Sequence, residues 1–346
     1  MKHSSQDAPI FITGVYRSGT TIVSRMLDAH PLLDVAYDSV NYYRWYIKKN
    51  TKPNEFRKIV SDTAERLLNR YDKKIDVDRI IDNIKKIETP KHENIYSAIM
   101  EDYFSYSGKR WGEKTLMEWT NIPLFLSMFP KGKIIHIIRD PRDVMASYKK
   151  MTIEKGDRYL DSVFACMHSM NAAHNYKKVL STSRYYALSY ESLLESPKNE
   201  LVRLCDFLEI DYSEDMLDEN KYIDLKGFKF TKGTHTSFPD DDNRSPTGRW
   251  KEHLKDYEVA LIEGLLATQM SQFGYVRSSS NTSKVLNKLM GVIMNEPVLV
   301  DRFQNYLLTG DGVEAYPSDP TDPLNWGSDS GNLGLGAAAA YGMPTK

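Results

Sequence analysis

Two cysteines in 346 residues leave no material for a disulfide framework or a cysteine-built zinc site. Cys166 and Cys205 both fall in stretches of helical periodicity, where they read as small core residues of a chain kept reduced. Long apolar runs are also missing, and nothing approaches the roughly 18 residues of a membrane span. The start, Met1 to Pro9, is polar and runs into the first apolar segment without the pattern of a signal peptide. Charge of one sign is lacking too: 46 Lys and Arg stand against 47 Asp and Glu, a formal net charge of -1. That balance argues against broad nucleic-acid or membrane-surface binding, so any anion site has to be local. No internal repeat is visible, and the histidines carry no metal-ligand spacing. The expectation is a cytoplasmic protein with no membrane span, no nucleic-acid partner and no metal.

What is present is an ordinary apolar content of 41% and a regular alternation of strand and helix signals. Pro9–Gly14 is a short β-branched run ending at a glycine, which suits a buried parallel strand. Ile22, Val23, Met26 and Leu27 then recur at helical spacing until His30-Pro31 ends the element, with His30 as its cap. Further strands are expected at Leu33–Tyr37, Arg110–Thr115, Lys133–Arg139 and Tyr185–Tyr190. Between the second and third lie helical stripes: Phe56, Ile59, Val60, Ala64, Leu67 and Leu68; Ile80, Ile81, Ile84 and Ile87; Ile99, Met100, Tyr103 and Phe104. Helices are also expected from Pro141, from Leu160 to His174 and from Leu193 to Leu208. Strands separated by helices define an α/β fold with a parallel sheet covered on both faces, and such sheets carry their sites at the carboxyl ends of strands.

Gly14-Val-Tyr-Arg-Ser-Gly-Thr-Thr21 sits at such an end, between the first strand and the first helix. Glycines allow a sharp turn and a close approach to a ligand, and the N–H groups of a helix start favour a phosphate. Ser18, Thr20 and Thr21 add hydroxyls and Arg17 a forked cation. The spacing matches a nucleoside-triphosphate P-loop, except that Thr20 stands where the phosphate-binding lysine belongs. A second basic motif, Lys133 to Ser147, is a strand, a turn and a helix. Arg139 ends the strand, and Ser147 lies two turns into the helix on a face that points back to the same spot. Asp140 in a magnesium-binding role fits poorly beside Arg139 and Arg142, and Arg142 with Asp143 reads as a solvated ion pair or as part of an anion site.

Together these motifs resemble the sulfotransferase superfamily over about residues 8–276. The 5′-phosphosulfate loop resembles Tyr16–Thr21 and the 3′-phosphate motif resembles Ile138–Ser147. Ser189-Tyr-Glu-Ser-Leu-Leu194 and Gly248-Arg-Trp-Lys251 resemble two later signatures of the same family. The resemblance implies a P-loop NTPase-like sheet with a helical insert at about 52–107. It implies 3′-phosphoadenosine 5′-phosphosulfate (PAPS) as co-substrate, a hydroxyl-bearing acceptor, and no metal. It implies that Arg17, Ser18, Gly19, Thr20 and Thr21 hold the 5′-phosphosulfate, and Arg139 and Ser147 the 3′-phosphate. Tyr190 would lie near the adenosine or the 3′-phosphate, with Arg249 or Arg244 closing over the 3′ side. Within the superfamily, Met26-Leu-Asp-Ala-His-Pro31 looks most like tyrosylprotein sulfotransferases and bacterial relatives. Their base maps onto Asp38, one carbon shorter than the family's glutamate. The family's catalytic lysine maps onto Lys114 in Gly112-Glu-Lys-Thr115, and Leu116 stands where a different branch has a histidine base. Arg17 and Lys114 would supply positive charge and Asp38, or secondly Glu113, would take the acceptor's proton.

Two rivals remain at this point: a P-loop nucleotide kinase or NTPase, and a non-catalytic nucleotide-binding protein. Tyr37, Tyr42, Tyr43 and Tyr46 could stack on an acceptor ring or pack the core, and residues 52–107 with 217–243 would shape the acceptor cleft. His136 reads as a satisfied core residue. After a linker from about 277, Val285–Leu308 carries enough apolar residues for short helices that dock or self-associate as a homo-oligomer, and residues 309–346 read as a disordered tail.

Overall fold

A computed structural model describes residues 8–47, 53–151, 156–223, 229, 247–278 and 283–309. The chain begins with β1 (Ile10–Gly14), whose five residues are all buried. It continues through α1 (Thr20–Asp28), β2 (Leu33–Tyr37) and the single turn α2 (Tyr42–Trp45). Three inserted helices follow, α3 (Pro53–Tyr71), α4 (Val77–Lys85) and α5 (His92–Tyr103). Next come β3 (Arg110–Lys114), α6 (Ile122–Met128), β4 (Lys133–Ile138) and α7 (Pro141–Met151). The sheet is completed after α8 (Ser162–Val179) by β5 (Tyr185–Ser189), with α9 (Tyr190–Glu195) and α10 (Pro197–Leu208) behind it. The short helices α11 (Trp250–His253), α12 (Asp256–Leu265) and α13 (Ala267–Gln272) precede the last two, α14 (Ser283–Met294) and α15 (Pro297–Thr309).

The five strands form one sheet in the order β2-β3-β1-β4-β5. All four pairings are parallel, with Ile10 opposite both Gly112 and Lys133. The all-buried patterns of β1 and β4 follow from helices on both faces, which is why both read as continuous apolar runs rather than alternating ones. Val23 and Leu27 of α1 and Leu201, Leu204 and Leu208 of α10 pack on one face against Ile10, Ile12, Ile135 and Ile137. Phe11 and Ile134 face the other way, toward α5, α6 and α8. The chain leaves β1 for the far edge at β2 and later returns to place β3 and β4 on either side of β1. That reversal opens a crevice at the carboxyl end of β1, where α/β sheets bind ligands.

The expected stripes are buried for the most part, and their exceptions are local. Leu68 is 42% exposed although Leu67 beside it is fully buried, because the buried face of α3 is narrower than the run of apolar residues. Ile87 is 38% exposed because α4 has ended at Lys85. Strand β5 stops at Ser189, whose side chain caps α9, so Tyr190 is a helical residue rather than a strand end. Cys166 and Cys205 are buried free thiols, and burial pushes each up to about 12. Helices α14 and α15 dock on the body of the same chain: Leu289 and Leu299 are buried, and the Tyr306 ring stacks on Phe164 at 4.3 Å. No helix among the described residues is long and apolar enough to cross a membrane. The expected tail, Arg244 and most of 217–243 lie outside the described residues.

Candidate active site

The loop after β1 needs its two glycines for different reasons. A Cβ at Gly14 would lie 2.7 Å from Ser18 Oγ and 2.9 Å from the Ile137 carbonyl, so the turn closes against β4 only without one. Gly19 has φ 95° and ψ 11°, a left-handed conformation, and caps α1. A Cβ there would lie 2.2 Å from the Tyr190 ring. Ser18 turns inward and donates both its N–H, at 3.1 Å, and its hydroxyl, at 2.6 Å, to the Val15 carbonyl. It therefore shapes the loop rather than offering a hydroxyl hydrogen outward. Thr20 and Thr21 open α1, whose first turn holds no acid and whose cap uses no side chain. Its leading N–H groups thus face the crevice with the positive end of the helix dipole.

The two basic motifs meet at this loop. Arg17, itself left-handed at φ 67°, donates from Nε to Ser147 Oγ at 2.9 Å. Arg139 donates from Nη1 to the Arg17 carbonyl at 2.7 Å, and its guanidinium lies 4.5 Å from the centre of the Tyr190 ring. Arg17, Gly19, Arg139, Ser147 and Tyr190, drawn from the loop between β1 and α1, the residue after β4, α7 and the start of α9, thus form one cluster.

Arg142 behaves differently from the sequence expectation. It is not paired with Asp143 in solvent. It is buried between Asp140, which it meets at 2.7 Å, and Glu263, at 2.8 Å, and it stacks over Trp250 at 4.2 Å. Asp140 is therefore held by an arginine. Asp143 instead accepts the backbone N–H of Gly248 at 2.7 Å and of Trp250 at 3.0 Å. Burial raises its pKa, and these two bonds oppose the shift. The consequence is positional: Arg249, between the two anchored residues, is carried to the start of α7. No sequence signal links Asp143 to a segment more than a hundred residues away. Among the described residues no group of three or more His, Cys, Asp or Glu is placed to hold a metal ion.

On the other side of β1, Lys114 ends β3 and Asp38 follows β2. The Asp38 N–H bonds the Lys114 carbonyl at 2.9 Å, and the Lys114 amine forms a buried ion pair with Asp38 Oδ2. Lys114 is 1% and Asp38 4% exposed. Burial holds the Lys114 pKa below the usual lysine range; Asp38 opposes this, while Arg25 and Arg17 add to it. Arg17 therefore bears on both halves of the crevice. Asp38 Oδ1 is buried and has no hydrogen-bond partner among the described residues. Glu113, the next residue back on β3, is fully buried and accepts from Asn41 N–H at 2.6 Å and from the Tyr96 hydroxyl. Burial pushes its pKa up to about 7. Glu113 is a partner of the core rather than of the crevice.

The aromatic residues near Asp38 also belong to the core. Tyr42, Tyr43 and Tyr46 are buried, and Tyr42 stacks on Tyr96 at 4.6 Å. Tyr37 is buried under the Arg25 guanidinium, which lies 4.1 Å from its ring centre. Leu116 is buried. His136 is held by the Tyr185 hydroxyl and Ser169 at 2.8 and 2.9 Å, and burial depresses its pKa to about 3. His30 ties the end of α1 to the Asp211 carbonyl at 2.8 Å. Sequence reasoning missed Arg25 and Arg66, because an arginine within an amphipathic helix ordinarily points to solvent.

Residues 9–214 match the model of the sulfotransferase family. The chain belongs to the sulfotransferase family. Protein-tyrosine sulfotransferase A of Caenorhabditis elegans is 26% identical over 222 residues, covering 62% of this chain and 53% of that protein. An uncharacterized protein of Aquifex aeolicus is 25% identical over 228 residues, 62% of this chain and 27% of that one. The chain thus spans about half or less of the length of these two curated relatives. Among solved structures, the sulfotransferase domain from the curacin biosynthetic pathway superimposes with a TM-score of 0.55 at 17% identity. It covers 78% of this chain and 99% of its own, and the likeness is one of fold.

Proposed function

We propose that this member of the sulfotransferase family moves a sulfuryl group from PAPS to an acceptor hydroxyl in the crevice at the end of β1. The observation that carries the reading is the single cluster made by the lysine-free phosphate loop with Arg139, Ser147 and Tyr190. A triphosphate site would place a lysine where Thr20 stands. Two arginines, an open helix start and a stacking ring suit instead a nucleotide with anionic groups at both ends.

In this reading the backbone N–H groups of Gly19, Thr20 and Thr21, with Arg17, hold the 5′-phosphosulfate. Arg139 and Ser147 hold the 3′-phosphate, with Tyr190 near the adenosine and Arg249 closing from α11. The glycines at 14 and 19 let the loop close against Ile137 and the Tyr190 ring, which brings its backbone N–H groups and the second basic motif to one spot. The donor supplies an activated sulfuryl group. Lys114 and Arg17 bring positive charge to the oxygens that gain charge as it transfers. Asp38 takes the acceptor's proton on Oδ1, the carboxylate oxygen turned away from Lys114. Asp38 is shorter than the family's glutamate, but its left-handed backbone, φ 49°, brings the carboxylate to Lys114.

The test is calorimetric binding of 3′,5′-bisphosphoadenosine against ATP, followed by transfer of labelled sulfate from PAPS to peptide, carbohydrate and small hydroxyl acceptors. Tighter binding of the bisphosphate, with transfer to one class, is the expected result. Preference for ATP would make the protein a kinase or NTPase, and normal bisphosphate affinity without transfer a binding protein. Lys114→Ala should lower turnover while leaving bisphosphate affinity near wild type.

A further inference from the structure

Residues 38–41, which join β2 to α2, hold two left-handed residues that are not glycine, Asp38 at φ 49° and Asn41 at φ 48°. Such residues persist where the surroundings over-determine them. Buried groups from other elements grip this turn along its whole length. The Asp38 carbonyl accepts from the Tyr71 hydroxyl at 2.7 Å, and Asn41 N–H donates to Glu113 Oε1 at 2.6 Å. The Ser39 and Val40 carbonyls each accept from one terminal nitrogen of Arg66. Arg66 is 0% exposed and Tyr71 4%, and both come from α3.

A fully buried arginine carries a desolvation penalty that a leucine filling the same space would not. Its rigid fork, however, can hold two neighbouring carbonyls at once, which a lysine cannot do.

We infer that Arg66 and Tyr71 are positioning residues that hold the Asp38 carboxylate against Lys114, so that α3 serves the acceptor half of the site. The inference rests on the proposed role of Asp38. Loosening the grip lets Asp38 drift from Lys114 and leaves the donor cluster intact.

Three variants test this: Tyr71→Phe, Arg66→Lys and Arg66→Met, with Asp38→Asn as reference. The first readout is independent of turnover: the pH titration of the Lys114 amine followed by NMR of isotope-labelled lysine side chains, which needs no reagent to reach a buried group. The charged groups around that amine are Asp38, Arg25 and Arg17, with the Tyr37 ring 5.9 Å away. Asp38 raises its pKa against Arg25 and Arg17, so the amine of the variants should titrate at lower pH, in the direction of Asp38→Asn. The second readout is 3′,5′-bisphosphoadenosine affinity, expected within about threefold of wild type. The third is turnover, expected to fall about 10- to 100-fold in Arg66→Met and less in Tyr71→Phe, with KM for PAPS little changed. Should Arg66→Met fail to fold, Tyr71→Phe decides, because it removes one hydroxyl and keeps the ring. An unshifted Lys114 profile in the folded variants would overturn the inference, as would bisphosphate affinity falling in step with turnover. A shifted profile in a protein that transfers no sulfate would sink the transferase reading and leave the positioning role standing.

Discussion

Substituting Gly19 by alanine tests the donor site at its tightest point. Two separate costs follow from the geometry. Alanine at φ 95° and ψ 11° is strained whatever the space around it, by about 1 to 2 kcal/mol. Its Cβ would also sit 2.2 and 2.3 Å from two carbons of the Tyr190 ring, so the ring must leave. Displacing it forfeits the Arg139 contact at 4.5 Å, worth about 1 kcal/mol in a half-buried setting. The sum is about 2 to 3 kcal/mol, roughly 30- to 150-fold in an equilibrium constant. How it divides depends on the free loop. A loop that keeps its shape shows the loss as a lower Tm, whereas one that relaxes shows it as weaker 3′,5′-bisphosphoadenosine binding. Calorimetric titration and thermal unfolding on the same samples capture both. A Tyr190→Ala background separates the causes: there the added methyl should cost only the backbone strain, about 1 to 2 kcal/mol. Wild-type affinity together with wild-type Tm in Gly19→Ala would refute the reasoning, and so would strict additivity of the two substitutions.

Glu113 and His136 make stability depend on pH in opposite senses. The Glu113 pKa is raised from 4.5 to about 7, so the folded state holds that proton more tightly and loses stability as pH rises between those values. The His136 pKa is depressed from 6.5 to about 3, so stability is lost as pH falls through that window. Glu113→Gln removes the first slope, so its stability relative to wild type should rise by about 3 kcal/mol between pH 4.5 and 7. Urea unfolding across that range checks it, and a pH-independent difference would contradict it. Asp143→Ala frees the Gly248 and Trp250 N–H groups and should weaken bisphosphate binding about 5- to 30-fold through loss of two hydrogen bonds. Calorimetry measures this, and unchanged affinity would remove Arg249 from the donor site.

The parts of the site that were legible in the sequence are those whose chemistry is local. Gly14 and Gly19 bracket a turn, and β1 and β4 are apolar runs that end beside it, so strand, loop and helix could be placed from neighbours alone. Arg139 was legible because it ends such a run. The anchoring of Gly248 and Trp250 by Asp143 was not, since it joins residues that no periodicity relates. Arg142 was misread because a sequence cannot show that Asp140, Glu263 and Trp250 converge on it. Arg66 left no mark either: within α3 it looks like any solvated arginine, and its burial depends on where the turn at 38–41 passes.

The central place of β1 has a consequence for how the chain is made. The strand emerges first, yet its neighbours begin only at Arg110 and Lys133. At translation rates of about 5 to 20 residues per second, the nascent Ile-Phe-Ile-Thr segment waits roughly 6 to 25 seconds before β4 exists to pair with it. The segment that ends in the phosphate loop is therefore also a stretch of nascent chain with a need for shelter. Helix α1, synthesised within about 1 to 3 seconds of it, carries Val23 and Leu27 to the face they will share.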